Sequence, residues 1–140
     1  MSNIEKAVAK RMQEYTDAFI KAGITKDHTL LREFSHIPLM DVVKGRAFVV
    51  DTEEKSDKRW SRILSNLPDD YDNSISQSID VTLMSSKSAF VSVDVRRFKK
   101  SGEEYDRFWA SYIFVKTDEN WKISTWIVHD PGLAPQTVRT

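Results

Sequence analysis

The sequence predicts an α+β fold in which three N-terminal helices pack on a strongly curved, mostly antiparallel sheet that encloses one cone-shaped pocket. Two observations carry this. The stretch from Ile75 to His129 reads as four consecutive strands with apolar residues at every second position. Helical periodicity and one short hairpin occupy the chain before it, with no internal repeat and no low-complexity linker, so residues 1–140 form a single domain.

Ser2 and Glu5 have capping-box spacing, which satisfies two orphan amide donors at a helix start. Ile4, Val8, Met12, Tyr15 and Phe19 then recur on one helical face, and Gly23 ends the helix. A short second helix runs from Asp27 to Phe34 and buries Leu30, Leu31 and Phe34. Pro38 lies in an extended segment from Ile37 to Val43, and Lys44-Gly45 turns it into Arg46 to Val50. Asp51 or Thr52 caps a third helix with the stripe Trp60, Ile63, Leu64 and Leu67, and Pro68-Asp69-Asp70 stops it. The polar residues through Asn73 and Ser74 read as a loop.

Register decides which side chains share a sheet face. Ile75, Ile79, Val81 and Leu83 are odd and apolar, with Gln77 the exception; Ala89, Val91, Val93 and Val95 are odd and apolar in the next strand. An odd-length loop near Ser85-Ser86-Lys87 keeps the two rows together. A turn centred on Lys100-Ser101 pairs Val91 with Ala110 and Val93 with Phe108. A turn over Thr117 to Asn120 pairs Ala110 with Ile127 and Tyr112 with Thr125. The expected core face therefore ends in Ile123, Thr125, Ile127 and His129, and the outer face holds Asp94, Arg107, Trp109, Ser111, Trp126 and Val128. Asp94 and Arg107 form a cross-strand charge pair. The Trp109/Trp126 patch is too apolar for open solvent, which predicts a homodimer through this face.

Composition narrows the function classes. Twenty-one basic residues balance twenty-one acidic ones, so net charge draws the chain towards neither nucleic acid nor anionic membrane. The basic run Arg96-Arg97-Phe98-Lys99-Lys100 sits at a strand end, where solvated charges are expected. With no cysteine there is no disulfide, thiolate metal site or cysteine nucleophile. His28, His36 and His129 lack metal-ligand spacing, and no phosphate-binding glycine loop or nucleophile-elbow motif occurs, so neither a metal nor a cofactor is expected. No apolar run approaches the roughly 18 residues of a membrane span, and the N-terminus starts a helix rather than a signal core; a cytoplasmic protein is the expectation.

The long first helix with Tyr15, the short second helix ending at Phe34, the Lys44-Gly45 hairpin before the Trp60 helix, and the closing runs Trp109-Ala110-Ser111-Tyr112-Ile113-Phe114-Val115-Lys116 and Trp121-Lys122-Ile123 together resemble the nuclear transport factor 2-like superfamily. Within it the chain resembles the SnoaL-like proteins. The resemblance covers about Ile4 to Pro131. It implies the cone-shaped fold, and it spans ketosteroid isomerases, polyketide cyclases, dehydratases, dioxygenase small subunits and plain binding or scaffold proteins. Fold does not choose among these.

The core face implies a mainly apolar ligand site lined by Trp60 and Phe108, with Tyr15, Asp41, Gln77, Tyr112, Thr125 and His129 as polar exceptions. Tyr15 lies on the buried stripe, where its phenol donates either to a ligand carbonyl, as the resemblance to ketosteroid isomerases implies, or simply to backbone or water. Asp41 alternates with Ile37, Leu39 and Val43, so burial would make it a general base; the alternative is a strand-edge carboxylate bonded to amides or a nearby arginine. His129 ends the core row and is a candidate general acid or base, or else is a rim histidine. The row Ala89, Val91, Val93 and Val95 lacks the protonated acid that a steroid-isomerase site needs. The leading expectation is a binder of a small hydrophobic molecule. Its rivals are a cofactor-independent lyase or isomerase using Asp41, His129 and Tyr15, and a dimeric interaction module.

Overall fold

In the structure, a computed structural model that describes residues 1–118 and 120–135, the chain opens with α1, Asn3–Thr25. The Ser2 hydroxyl accepts from the Glu5 amide while the Glu5 carboxylate accepts from the Ser2 amide, so the capping box forms. The helix does not stop at Gly23. It runs on to Thr25, with Lys26 left-handed behind it, because Gly23 has another job. A Cβ there would lie 2.7 Å from Cε2 of Tyr71 and 3.0 Å from Cδ1 of Leu67. Close approach of the Tyr71 ring is what the glycine permits. An alanine would gain about 1 kcal/mol of helix propensity but force an overpacking penalty of roughly 1–3 kcal/mol.

His28–Phe34 is a 3-10 helix capped by Asp27, whose carboxylate accepts from Thr29. β1 (Ser35–Val43) and β2 (Arg46–Val50) form the expected hairpin, with Lys44 and Gly45 at positive φ. Thr52, not Asp51, caps α2 (Glu53–Ser65) by accepting from the Lys55 amide. β3 spans Tyr71–Ser85, β4 Ser88–Lys99, β5 Glu104–Lys116 and β6 Trp121–Val128. The polar residues Asp72, Asn73 and Ser74 thus belong to a strand, not a loop. Their backbone pairs with the long end of β4 (Asn73 opposite Phe98, Ser74 opposite Arg97), and that pairing overrides their weak strand preference.

All six strands form one sheet in the order β2-β1-β6-β5-β4-β3, with β1 parallel to β6 and every other pair antiparallel. Between β4 and β5, Val91 faces Tyr112, Val93 faces Ala110 and Val95 faces Phe108, two residues away from the expected pairing. Gly102, at φ +90°, sets the turn further along than Lys100-Ser101. A shift of two preserves parity, so the inward row is unchanged: Ala89, Val91, Val93 and Ala110 are fully buried.

The register shifts at several places, and two of the shifts change which side chains face the cone. In β3, Ser78 at φ +54° bulges between the Gln77–Asp94 and Asp80–Ser92 pairs, which sends Ile75 and Gln77 outwards and Val81 and Leu83 inwards. In β6, Phe114 faces Ile123 as the turn register requires, but a bulge at Ser124 then places Trp126 opposite Tyr112 and Val128 opposite Ala110. Beyond that bulge the faces exchange. Trp126 is buried at 8% exposure on the inner side, whereas Thr125, Ile127 and His129 turn outwards. Of the turn expected over Thr117 to Asn120, residue 119 lies outside the described residues; Thr117 donates its amide to the Asn120 carbonyl.

Candidate functional site

Four aromatic rings from four elements fill the middle of the cone. Tyr15 of α1 lies 6.1 Å from Trp60 of α2, Trp60 stacks on Trp126 at 5.9 Å, Trp126 stacks on Tyr112 at 6.1 Å, and Tyr112 returns to Tyr15 at 5.9 Å. The circuit is closed. Each ring reaches it through a different local rule: Tyr15 and Trp60 by helical spacing, Tyr112 by strand alternation, Trp126 by the bulge. Trp60 Nε1 donates to the Ser35 hydroxyl at 2.8 Å, which locks its plane. Burial pushes the Tyr15 phenol up to about 12, against the partial pull of Arg59 and Arg97, and pushes Tyr112 well above the usual tyrosine range. Both stay protonated donors at neutral pH.

Asp41 is buried at 8% exposure and meets Arg59 side-on: Nη2 donates to Oδ1 at 2.7 Å and Nε donates to Oδ2. The paired reading of this carboxylate is the one the geometry supports, because both of its oxygens are held by one guanidinium. Arg59 itself is 3% exposed and stacks on Trp60 at 4.5 Å and on Trp126 at 4.6 Å. Sequence reasoning missed Arg59, since an arginine next to the apolar stripe reads as solvated. A second buried arginine, Arg11, was also illegible; it donates to the backbone carbonyls of Trp121 and Glu33 and covers the Phe34 ring at 3.9 Å.

Tyr15 and Tyr112 touch, so the space expected between them is closed. What remains deep in the cone is a void of about 20 Å³, enough for a water molecule, lined among others by Thr16, Ser74, Ser76 and Arg97. Open space lies instead at the cone mouth. There a cleft of about 330 Å³ is walled by Val43, Ile63, Phe108, Trp126 and Val128 and rimmed by Arg97, Asp106 and His129. Phe108 and Arg97 border both spaces and separate them.

The remaining expected site residues lie on the outer face. Gln77 donates to Asp94 at 3.0 Å rather than facing the cone. Asp94 also accepts two hydrogen bonds from Arg107, at 3.2 and 2.7 Å, and the Arg107 guanidinium holds its carboxyl below the usual carboxylate range. The charge pair is therefore present, though diagonally, because Asp94 sits opposite Trp109. Thr125 borders a shallow groove beside Met40 and Val49. His129 lies just past β6, with Nε2 2.8 Å from the Ser111 hydroxyl, which in turn lies 3.0 Å from Ser92. Ser111 is only 2% exposed, so this serine–histidine contact is a buried hydroxyl relay and not an accessible nucleophile. The two-tryptophan outer patch is undone as well: Trp109 stays outside, half-buried, while Trp126 belongs to the interior. Among the described residues no three histidine or carboxylate side chains gather as a metal site, and no helix is long and apolar enough to cross a membrane.

Comparison with known proteins agrees with this architecture. A cystatin-like-fold protein of unknown function from Nostoc punctiforme PCC 73102 superposes with a TM-score of 0.74 at 10% identity, covering 95% of this chain and 96% of its own. A ketosteroid isomerase-like protein from Erwinia carotovora atroseptica SCRI1043 superposes with a TM-score of 0.65 at 15% identity over 94% and 100% of the two chains. An NTF-2 like protein of unknown function from Shewanella oneidensis MR-1 does so with a TM-score of 0.65 at 11% identity over 87% and 98%. At such identities the likeness is one of fold. No curated protein matches the sequence. The family described as NTF2-like protein (DUF6841) matches residues 5–131, and with the curved sheet, the helices on its inner face and the aromatic cone in place, the chain belongs to that family.

Proposed function

We propose that this protein is a SnoaL-like binder of a small apolar or aromatic molecule, which it holds in the cleft at the cone mouth. The observation that carries the reading is the cleft itself: about 330 Å³ with five apolar walls, at the lower end of the size range of small-molecule sites. Phe108 and Trp126 contribute aromatic carbon to the lining, and Arg97 offers a polar contact. Of the two expected bases, Asp41 is engaged at both oxygens by Arg59 and the Nε2 of His129 shares a hydrogen bond with Ser111, which favours binding over proton transfer by either of them.

The test is equilibrium binding of two neutral probes, naphthalene and 2-naphthamide, followed by tryptophan fluorescence and calorimetry. Saturable one-site binding is expected for at least one of them, abolished by Val43→Trp, which fills the cleft from its exposed wall. Failure of wild type to bind either neutral probe or the matching acid, 2-naphthoate, or unchanged binding by the filled variant, would sink the reading. We propose also that two copies associate through the outer sheet face around Trp109, where Phe90, Ile113 and Ile127 are half-buried and Ile75 is 39% exposed. Sedimentation of wild type against Trp109→Asp tests this; an unchanged monomeric mass for both refutes it.

A further inference from the structure

Three arginines turn inwards, and two of them are matched. Arg11 is bonded to two backbone carbonyls, and Arg59 is bonded to Asp41 through Nε and Nη2, with its Nη1 buried and without a partner. Arg97 is the exception. Among the described residues its guanidinium makes no hydrogen bond or ion pair, and its Nε is shielded from solvent without a partner. The group is not loose. It is clamped between the Phe19 and Phe108 rings, 4.9 Å from each centroid, so a definite geometry is held while the donor edge stays unused. Trp126 Nε1, in the wall of the same mouth cleft, is a second buried donor without an acceptor.

The surroundings supply donors rather than balancing charge. Arg97 is the only ionisable side chain other than tyrosine on the small inner void, whose other polar groups are the hydroxyls of Tyr15, Thr16, Ser74, Ser76 and Tyr112. On the cleft side Asp106 lies across the ladder from Arg97 but is exposed at the rim and not ion-paired with it. Lys44 stands on the same rim as Asp106 and Asp130, while Arg107 is held by Asp94. A partly buried guanidinium, unpaired among the described residues and clamped between two rings beside an apolar cleft, is an arrangement with a missing acceptor.

We infer that the ligand of the mouth cleft is a small hydrophobic carboxylic acid, bound as the carboxylate on Arg97 with its apolar body against Phe108, Trp126 and Val128. This rests on the cleft being a ligand site and names the chemical class it takes. A planar carboxylate meets a guanidinium edge by charge-assisted hydrogen bonds, which a neutral amide or alcohol matches only weakly.

The probes are 2-naphthoate and 2-naphthamide, which share one hydrocarbon body and differ in charge. Wild type is expected to bind the acid at least about tenfold more tightly than the amide, the margin expected of a charge-assisted pair. Arg97→Gln should remove that preference while leaving amide affinity within a few-fold, and Arg97→Lys should retain part of it. Equal affinity of wild type for acid and amide overturns the carboxylate assignment and leaves the cleft as a ligand site. A preference that survives Arg97→Gln overturns the role of Arg97. Failure of naphthalene, amide and acid alike removes the cleft as a site and this assignment with it. The wild-type comparison needs no variant to fold.

Discussion

The deep end of the cone and its mouth are built from the same kinds of side chain and differ in what is left over. At the deep end, Tyr15, Trp60, Tyr112 and Trp126 close on one another, and the one buried carboxylate is held by the one arginine in reach. At the mouth, Phe108 and Trp126 border open space and Arg97 has no counterpart. The deep end is organised for stability, with Nη1 of Arg59 buried beside it without a partner, whereas the mouth joins an unpartnered guanidinium to open space. An aromatic cluster in the middle of such a cone can thus be packing, with the open surface one layer further out.

The largest way to break this contrast is Trp60→Ala. If the deep end is structural, removing the ring that touches Tyr15 and Trp126 costs about 3–5 kcal/mol in urea denaturation. A cost under 1 kcal/mol would mean the circuit is loosely packed. Asp41→Ala leaves the Arg59 charge buried and should cost about 3 kcal/mol or more, whereas Asp41→Leu combined with Arg59→Met should recover most of the loss. If the single variant is harmless, the pair is not what holds that end.

Alkaline titration separates the regions optically. Burial raises all four tyrosines, Tyr15 to about 12 and Tyr112 strongly, Tyr71 and Tyr105 less so. Because the folded state favours the protonated phenol, this stability is fully present below the unfolded value of about 10 and is lost as pH rises through the folded values. Absorbance should show Tyr71 and Tyr105 ionising first, above 10, and Tyr15 and Tyr112 only as the fold opens. Four tyrosines titrating together near 10 would contradict a closed deep end. The smallest effect belongs to Arg97→Gln, which should change stability by no more than about 1 kcal/mol, since two ring contacts of modest worth are lost along with an unsatisfied guanidinium. A large loss would make Arg97 part of the packed region.

Most of the fold was legible because period-2 and period-3.6 patterns report burial directly, as the rows through Val8 to Phe19 and Ala89 to Val95 show. The site was less legible. Strand parity carried from β4 to Tyr112 and Phe108 despite a misplaced turn, since the error was an even number of residues. It could not foresee the bulges at Ser78 and Ser124, which nothing in the local composition marks and which the neighbouring strands impose. Those two positions account for the misplacement of Gln77, Thr125, His129 and Trp126. Arg59 and Arg97 were hidden for another reason. A charged residue inside a cone is read from sequence as surface unless its burial is known, and Arg97 stood in a basic run that looked solvated.

The Ser124 bulge also has a genetic consequence. Losing that single codon would erase the bulge yet leave Thr125 opposite Ile113, Trp126 opposite Tyr112 and Val128 opposite Ala110, so the indole stays in the cone. Losing two neighbouring codons would shift the rest of the strand by one position and exchange its inner and outer contents, trading Trp126 for Ile127. A single loss at this point should therefore be tolerated and a double one purged, a parity rule that a comparison of this chain's relatives can read without any assay.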